Sequence, residues 1–132
     1  MAFEFNRNQQ DLNYTSTVAI AQAGANTASF DLEQAVGGDI GAVVFELAAP
    51  TASGISDTKV VTYALQDSAD ASTWAAVDPA ISTTQTATAS GIVAKTVRFR
   101  VPANTRRYVR VAQTMTASAG TVTGSMVAKL LF

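Results

Sequence analysis

The feature that most constrains this sequence is a period-two alternation of apolar and polar residues, built from β-branched and aromatic side chains. In its clearest example, Val97, Phe99 and Val101 share one face of an extended segment. Arg98 and Arg100 share the opposite face. A segment of this kind fits a half-buried β-strand, and no stretch of comparable length shows helical periodicity.

The same alternation recurs along the chain, and turn-forming residues separate the segments. The candidate strands are residues 15–19, 28–32, 41–47, 59–67, 92–101, 107–111 and 124–132. Within 59–67, one face is predicted to carry Val61, Tyr63 and Leu65 and the other Val60, Thr62 and Gln66. Residues 48–57 are predicted as a loop, and residues 81–91 as either a loop or a weakly patterned strand. Because Pro102 ends one strand and residues 102–105 form a turn, segments 97–101 and 107–111 are predicted to pair as a hairpin. The fold predicted is all-β, a jelly-roll-like β-sandwich of about eight strands.

The chain length predicts one folded domain with an extension. The 132 residues suffice for a single core, and that domain is expected to span residues 14–132. Residues 1–13 are predicted to form an N-terminal arm in which Phe3 and Phe5 anchor in a neighbouring chain. A first edge strand or a frayed end is the alternative for this segment.

The composition limits the size of the core and the kinds of cross-link and membrane segment that the chain can have. Hydrophobic residues make up 48% of the chain, but many are alanines that bury little area, so the core depends on few large side chains. There is no cysteine, which excludes disulfides and thiolate metal sites. No long apolar run or leader pattern is found, so we expect a protein made in the cytoplasm without membrane contact.

The residue types available for catalysis are few. The chain lacks histidine, so imidazole-based nucleophile systems and imidazole metal ligands are excluded. Asp67 and Asp70 resemble fragments of a calcium loop, but the alternating acidic pattern and the closing glutamate are missing, and a turn explains them better. We therefore predict a non-enzymatic protein without a cofactor or metal.

Charge is divided unevenly between the two halves of the chain. All ten acids lie within residues 1–78, which contain two basic residues, and the other seven basic residues follow, so the halves carry −8 and +7. Either strands from both halves interleave and mix these charges, or the molecule has one acidic and one basic face.

A group of arginines is the feature most open to a functional interpretation. Arg98, Arg100 and Arg110 are predicted to project from one face of adjacent strands, with Arg106 and Arg107 at the turn. This ladder fits a solvated face or a protein-docking face. Nucleic acid is not expected as a partner, because the chain has a net charge of −1 and the ladder is interleaved with few aromatic residues. The single tryptophan, Trp74, is predicted to anchor a loop or the core, or to seat a subunit contact.

The order of the strand and turn segments resembles a known family over residues 28–131. The segments are Asp31-Leu32, Gly38-Asp39-Ile40-Gly41, Val61-Thr62-Tyr63-Ala64-Leu65-Gln66-Asp67-Ser68, Arg107-Tyr108-Val109-Arg110-Val111 and Gly120-Thr121-Val122-Thr123-Gly124. In this order they resemble the capsid cement (decoration) protein family known from a Bordetella phage. The resemblance implies a jelly-roll subunit on the outside of an icosahedral phage head, where it bridges major capsid proteins around local symmetry axes.

These observations lead to one functional prediction with two alternatives. As a cement protein, the chain would bind the major capsid protein, self-associate as a dimer or trimer and reside on the exterior of the virion. Arg98, Arg100, Arg107 and Arg110 are predicted as capsid or subunit contacts, together with Phe3 and Phe5. The alternatives are a carbohydrate- or receptor-binding β-sandwich, which would show a cleft lined by Trp74 or tyrosines, and a nucleic-acid-binding β domain, whose affinity would fall steeply with salt.

Overall fold

The fold consists of β-strands joined by turns and loops. It is known from a computed structural model that describes residues 10–32, 43–116 and 120–131, with side chains described from Thr15 onwards. The strands are β1 Gln10–Ala19, β2 Ala25–Asn26, β3 Phe30–Asp31, β4 Val44–Ala49, β5 Val60–Ser68, β6 Ala75–Ala76, β7 Ser82–Thr86, β8 Lys95–Arg100, β9 Tyr108–Met115 and β10 Ser125–Leu131. Across these ranges there is no helix long and apolar enough to cross a membrane.

The strands form two antiparallel sheets. Sheet A has the order β1-β10-β4-β8. In sheet B, β9 and β5 lie side by side at the centre, with β2 and β3 on the free side of β9 and β6 and β7 on the free side of β5. The prediction of an all-β sandwich is confirmed, whereas the jelly-roll connectivity stays a prediction.

The core lies between the sheets and follows the predicted alternation. Val61, Tyr63 and Leu65 of β5 are buried, as the period of two required. Phe45 of β4 has no exposed surface and contacts Phe30 from sheet B edge to face, with ring centroids 5.6 Å apart. Aromatic contact of this geometry adds to the area buried, so Phe45 ties the two sheets together.

The observed strand boundaries differ from those predicted at several places. β1 begins at Gln10, so residues 10–13 of the predicted arm lie in a strand of sheet A. Residues 1–9, which include Phe3 and Phe5, lie outside the described residues, and their anchoring role stays a prediction. Within residues 81–91, the strand alternative is correct, because β7 pairs with β5.

The predicted hairpin between residues 97–101 and 107–111 is wrong. β8 pairs with β4 in sheet A, and Val101 extends that pairing by donating to the Val43 carbonyl. β9 pairs with β5 in sheet B. The connection turns after Pro102, whose carbonyl accepts from the Thr105 amide, and carries the chain from one sheet to the other. The prediction failed because alternation indicates which face of a strand is buried but does not identify the strand with which it pairs.

At one end of the sandwich, glycines allow close backbone packing of three connections, namely β4–β5, β7–β8 and β9–β10. Gly54 has a φ of +79°, and a Cβ there would lie 1.9 Å from the Thr121 carbonyl oxygen. Gly91 has a φ of +97°, and a Cβ there would lie 2.4 Å from the Ala52 carbonyl oxygen. A side chain at either position would therefore force the connections apart, in addition to straining the backbone.

Ion pairs join the acidic and basic halves of the sequence. Arg98 contacts Glu46 at 2.6 Å, Arg106 contacts Asp67 at 2.7 Å and Arg107 contacts Asp31 at 2.8 Å. Each pair combines an acid from residues 1–78 with an arginine from residues 79–132. Among the described residues this favours the interpretation in which strands from both halves interleave and mix the charges.

Candidate docking surface

The four arginines predicted as contacts do not share a face. Arg98 and Arg100 point outward from β8, on sheet A. Arg110 points outward from β9, on sheet B, and Arg107 immediately precedes that strand. Since β8 and β9 belong to different sheets, the predicted ladder is wrong, and its members lie on opposite outer faces of the sandwich.

On sheet A the two arginines differ in their contacts. Arg98 Nε donates to Glu46 Oε2 at 2.6 Å, and this exposed pair contributes little to stability because water screens it. Arg100 is exposed. It lines an open groove of about 600 Å³, together with Asp78, Pro79, Ile81 and Pro102. Among the described residues, no hydrogen bond, ion pair or aromatic contact of the Arg100 guanidinium is found. The groove is a secondary candidate for binding.

On sheet B, Arg107 is held by a carboxylate and an aromatic ring. Its Nε and Nη2 donate to the two carboxylate oxygens of Asp31, both at 2.8 Å. Its Cζ lies 5.1 Å from the centroid of the Tyr108 ring. The bidentate geometry already uses the planar fork of the guanidinium for contacts within the chain.

Arg110 has a different environment, which we call the Arg110 cluster and define as Arg110, Trp74 and Gln66. The guanidinium Cζ lies 4.3 Å from the centroid of the Trp74 ring, and Nε donates to Gln66 Oε1 at 2.9 Å. Arg110 is half-buried, and this burial lowers its pKa because desolvation disfavours the charged form. Among the described residues no carboxylate contacts Arg110, and its terminal nitrogens have no hydrogen-bond partner.

A tight turn places Trp74 over the sheet. One oxygen of Asp70 accepts hydrogen bonds from the amides of Ser72 and Thr73, both at 2.9 Å, and from the Ser68 hydroxyl. These bonds lower the pKa of Asp70 to about 2, the Thr73 amide having the largest effect. The turn explanation is the one that the geometry supports for Asp70, and the described residues contain no cluster of three or more acidic residues that could hold a metal ion.

Asp67 was also predicted to lie in a turn, and for this residue the prediction is wrong. It is 5% exposed at the end of β5, where its carboxylate accepts from the Arg106 backbone amide at 2.9 Å and from the guanidinium at 2.7 Å. The same hydrogen bonds raise the pKa of Arg106. The pair fastens the connection between the two sheets to sheet B.

Comparisons with known proteins assign no family to the chain. Neither protein-family models nor curated protein sequences give a match. What this surface does must therefore be inferred from its own geometry and chemistry.

Beside the Arg110 cluster, the outward side chains of sheet B are small and uncharged. Two neighbouring rows across the sheet consist of small residues, namely Thr84-Thr62-Thr114 and Ser82-Ala64-Ala112. Their side chains are exposed or half-buried. Among the outward residues of β5, β7 and β9, Arg110 is the one that carries a charge. Small side chains lose little rotamer entropy on contact, so such a face suits close approach of another protein.

Sequence reasoning found part of this surface and missed the rest. Arg110 and Trp74 were each singled out, but their contact was not, because they are 36 positions apart in the sequence. Gln66 was assigned only to an outward strand position. Its register opposite Arg110 in β9 brings the two side chains together, and the alternation of each strand was the one signal that placed both on an outer face.

Proposed function

We propose that this protein is a capsid cement protein that binds the outer surface of an icosahedral phage head. In that role it bridges neighbouring copies of the major capsid protein and stabilises the shell. The order of strand and turn segments resembles that family, and one observation on the fold carries the proposal. The outer face of sheet B combines rows of small, uncharged side chains with the Arg110 cluster, which joins an arginine to an aromatic ring.

This combination suits contact with a folded protein. Tryptophan, tyrosine and arginine dominate the binding energy of protein interfaces, where they are surrounded by residues that mainly exclude water. The Arg110 cluster has that composition, and the rows of threonine, serine and alanine provide the surrounding area. Charged residues are depleted at the centres of interfaces, as they are on this face.

The mechanism is stabilisation by mass action. A protein that binds the assembled, expanded shell and not its separated subunits lowers the free energy of the shell by its binding free energy. When one copy contacts two capsid subunits, the second contact forms at high effective concentration. Repetition over the many equivalent positions of an icosahedron multiplies the effect.

Co-sedimentation with expanded heads that lack the protein tests the proposal. Saturable binding at a fixed ratio to the major capsid protein supports it, and light scattering of the free protein separates a dimer from a trimer. Failure of the wild-type chain to bind such heads contradicts it.

Two charge insertions test which face docks. Ala112→Glu places a carboxylate at the centre of the outer face of sheet B, and Ala48→Glu places one at the centre of the outer face of sheet A. Both positions are half-buried on central strands, so each substitution is a control for the folding of the other. We expect Ala112→Glu to abolish head binding and Ala48→Glu to retain it, and the reverse pattern would assign docking to sheet A.

The carbohydrate-binding alternative requires an aromatic ring that is open to a sugar. The Trp74 ring has Arg110 over one face, and the Tyr108 ring has Arg107 over one face. These contacts favour protein docking over sugar stacking. A glycan array probed with the wild-type chain tests the alternative directly.

A further inference from the structure

We infer that Arg110 is the receptor for a single carboxylate, supplied by an acidic side chain of the protein on which this chain docks. The assignment of the partner rests on the proposed function. The carboxylate site itself rests on the geometry of the Arg110 cluster, and the two can fail separately.

Arg110 is half-buried and lacks a carboxylate partner, a combination that no other described arginine shares, since Arg100 also lacks such a partner but is exposed. Arg98, Arg106 and Arg107 each donate to a carboxylate within the chain. Arg110 donates to the neutral amide oxygen of Gln66. A half-buried guanidinium without an anion loses part of its hydration and has no opposite charge to compensate for that loss. The free protein therefore lacks one favourable electrostatic interaction at this site.

The cluster holds the guanidinium ready for a planar anion. The Trp74 ring supports the guanidinium from one side, and the bond from Nε to Gln66 restrains its orientation. The N–H groups of the two terminal nitrogens have no partner among the described residues. A carboxylate can approach them in the same plane and accept two parallel hydrogen bonds, with little ordering left to do on binding.

The surroundings favour one carboxylate over a polyphosphate. A nucleic-acid surface needs several cations to replace counterions along the backbone, whereas Arg110 is the one charged residue among the outward positions of β5, β7 and β9. The arginines before β9 do not extend this site, because Arg106 already contacts Asp67 and Arg107 already contacts Asp31. A chain of phosphates would therefore find one cation on this face, which is enough for a single carboxylate.

The first test observes the arginine side chains by NMR. Sodium acetate is added to the full chain at constant ionic strength, with sodium chloride and sodium phosphate as parallel titrations, and Arg110→Lys identifies the Nε–Hε resonance of Arg110. We expect acetate to shift that resonance saturably and more than phosphate does. No acetate-specific shift, or a larger response to phosphate, would overturn the carboxylate assignment.

A variant that supplies its own carboxylate gives a sharper test. Gln66→Glu places an acid where the amide oxygen now accepts from Arg110, 2.9 Å from Nε. We expect the acetate response to disappear and head binding to weaken by about ten- to a hundredfold, the equivalent of one charge-assisted hydrogen-bonded contact. Thr96→Glu, which adds the same charge to the exposed outer face of sheet A, should leave both measurements unchanged.

The outcomes separate the two proposals. An acetate response in a chain that binds no heads retains the carboxylate site and removes the cement function. Equal head binding by the wild-type chain and Gln66→Glu retains the cement function and removes Arg110 as its carboxylate receptor.

Discussion

Replacing Gln85 by glutamate should lower the free energy of unfolding, because the Gln85 side chain hydrogen-bonds two loops at one end of the sandwich. Gln85 lies on β7 and is 5% exposed. Its Oε1 accepts from the Tyr63 hydroxyl at 2.8 Å, and its Nε2 donates to the carbonyls of Pro50 and Val93 at 3.1 and 2.8 Å. Gln85→Glu preserves the size of the side chain, but an acceptor oxygen replaces the donor that holds two loops.

The magnitude follows from the bonds that are lost. Each buried polar group that loses its partner costs about 1–3 kcal/mol, and two carbonyls lose theirs. The bond from Tyr63 remains, because burial raises the pKa of that phenol and it stays a donor. Two such losses sum to about 2–6 kcal/mol. Val93 is 79% exposed, so water can reach part of this region. We therefore expect a loss in the lower part of that range, about 3 kcal/mol at neutral pH.

The loss should depend on pH with a defined sign. Desolvation and the two facing carbonyls disfavour the charged form, so the introduced carboxyl has a folded-state pKa above its unfolded value of about 4.3. The folded variant then binds more protons than the unfolded one, and its stability falls as pH rises through this window. Below it, the protonated carboxyl can donate to one carbonyl and recover part of the loss.

Urea unfolding at pH 4.5 and pH 7.5 measures the loss of stability and its dependence on pH. At each pH the free energy of unfolding of the variant is compared with that of the wild-type chain. Gln66→Glu is the matched control, because it makes the same chemical change on an outer face beside Arg110 and should cause no loss. A Gln85→Glu chain as stable as wild type at pH 7.5, or one that loses more at pH 4.5, would refute the reasoning.

Three further substitutions or titrations test the fold. Phe45→Ala should lower the free energy of unfolding by about 3–5 kcal/mol, since it empties the fully buried contact between the sheets; a melting temperature within a few degrees of wild type would contradict this. Asp67→Ala should lower the midpoint of urea unfolding, because the Arg106 amide and guanidinium lose their acceptor, and an unchanged midpoint would contradict this. Side-chain NMR should give Asp70 a pKa of about 2, against an ordinary value of 3.8. Since this pKa is lowered, the bonds of the turn stabilise the fold above about pH 4, and that contribution is lost as pH falls towards 2; Asp70→Ala should remove this part of the acid dependence.

Much of the local structure could be predicted from the sequence. Val61, Tyr63 and Leu65 were assigned to one face of their strand, and Arg98 and Arg100 to the face opposite the apolar residues of theirs; in the structure the first three are buried and the two arginines are exposed. These assignments need only the alternation of neighbouring side chains, which the backbone of an extended strand imposes whatever its partner is.

Strand pairing was decided by the tertiary structure alone. Residues 97–101 and 107–111 are close in sequence and joined by a turn, yet they belong to different sheets. Phe99 instead lies opposite Phe45 in β4, more than 50 positions away in the sequence. A choice between distant partners depends on how the whole core packs, which no local pattern encodes.

The candidate site shows the same division. From the sequence alone, the outward positions of Arg110 and Gln66 followed from alternation, and the scarcity of catalytic residue types followed from composition. The contact between them, the Trp74 ring beside the guanidinium, and the carboxylate partners of Arg98, Arg106 and Arg107 appear only once the sheets are assembled. The physical reason is that alternation is a property of neighbouring residues, whereas the environment of a charge is set by side chains that only folding brings within a few ångströms of it.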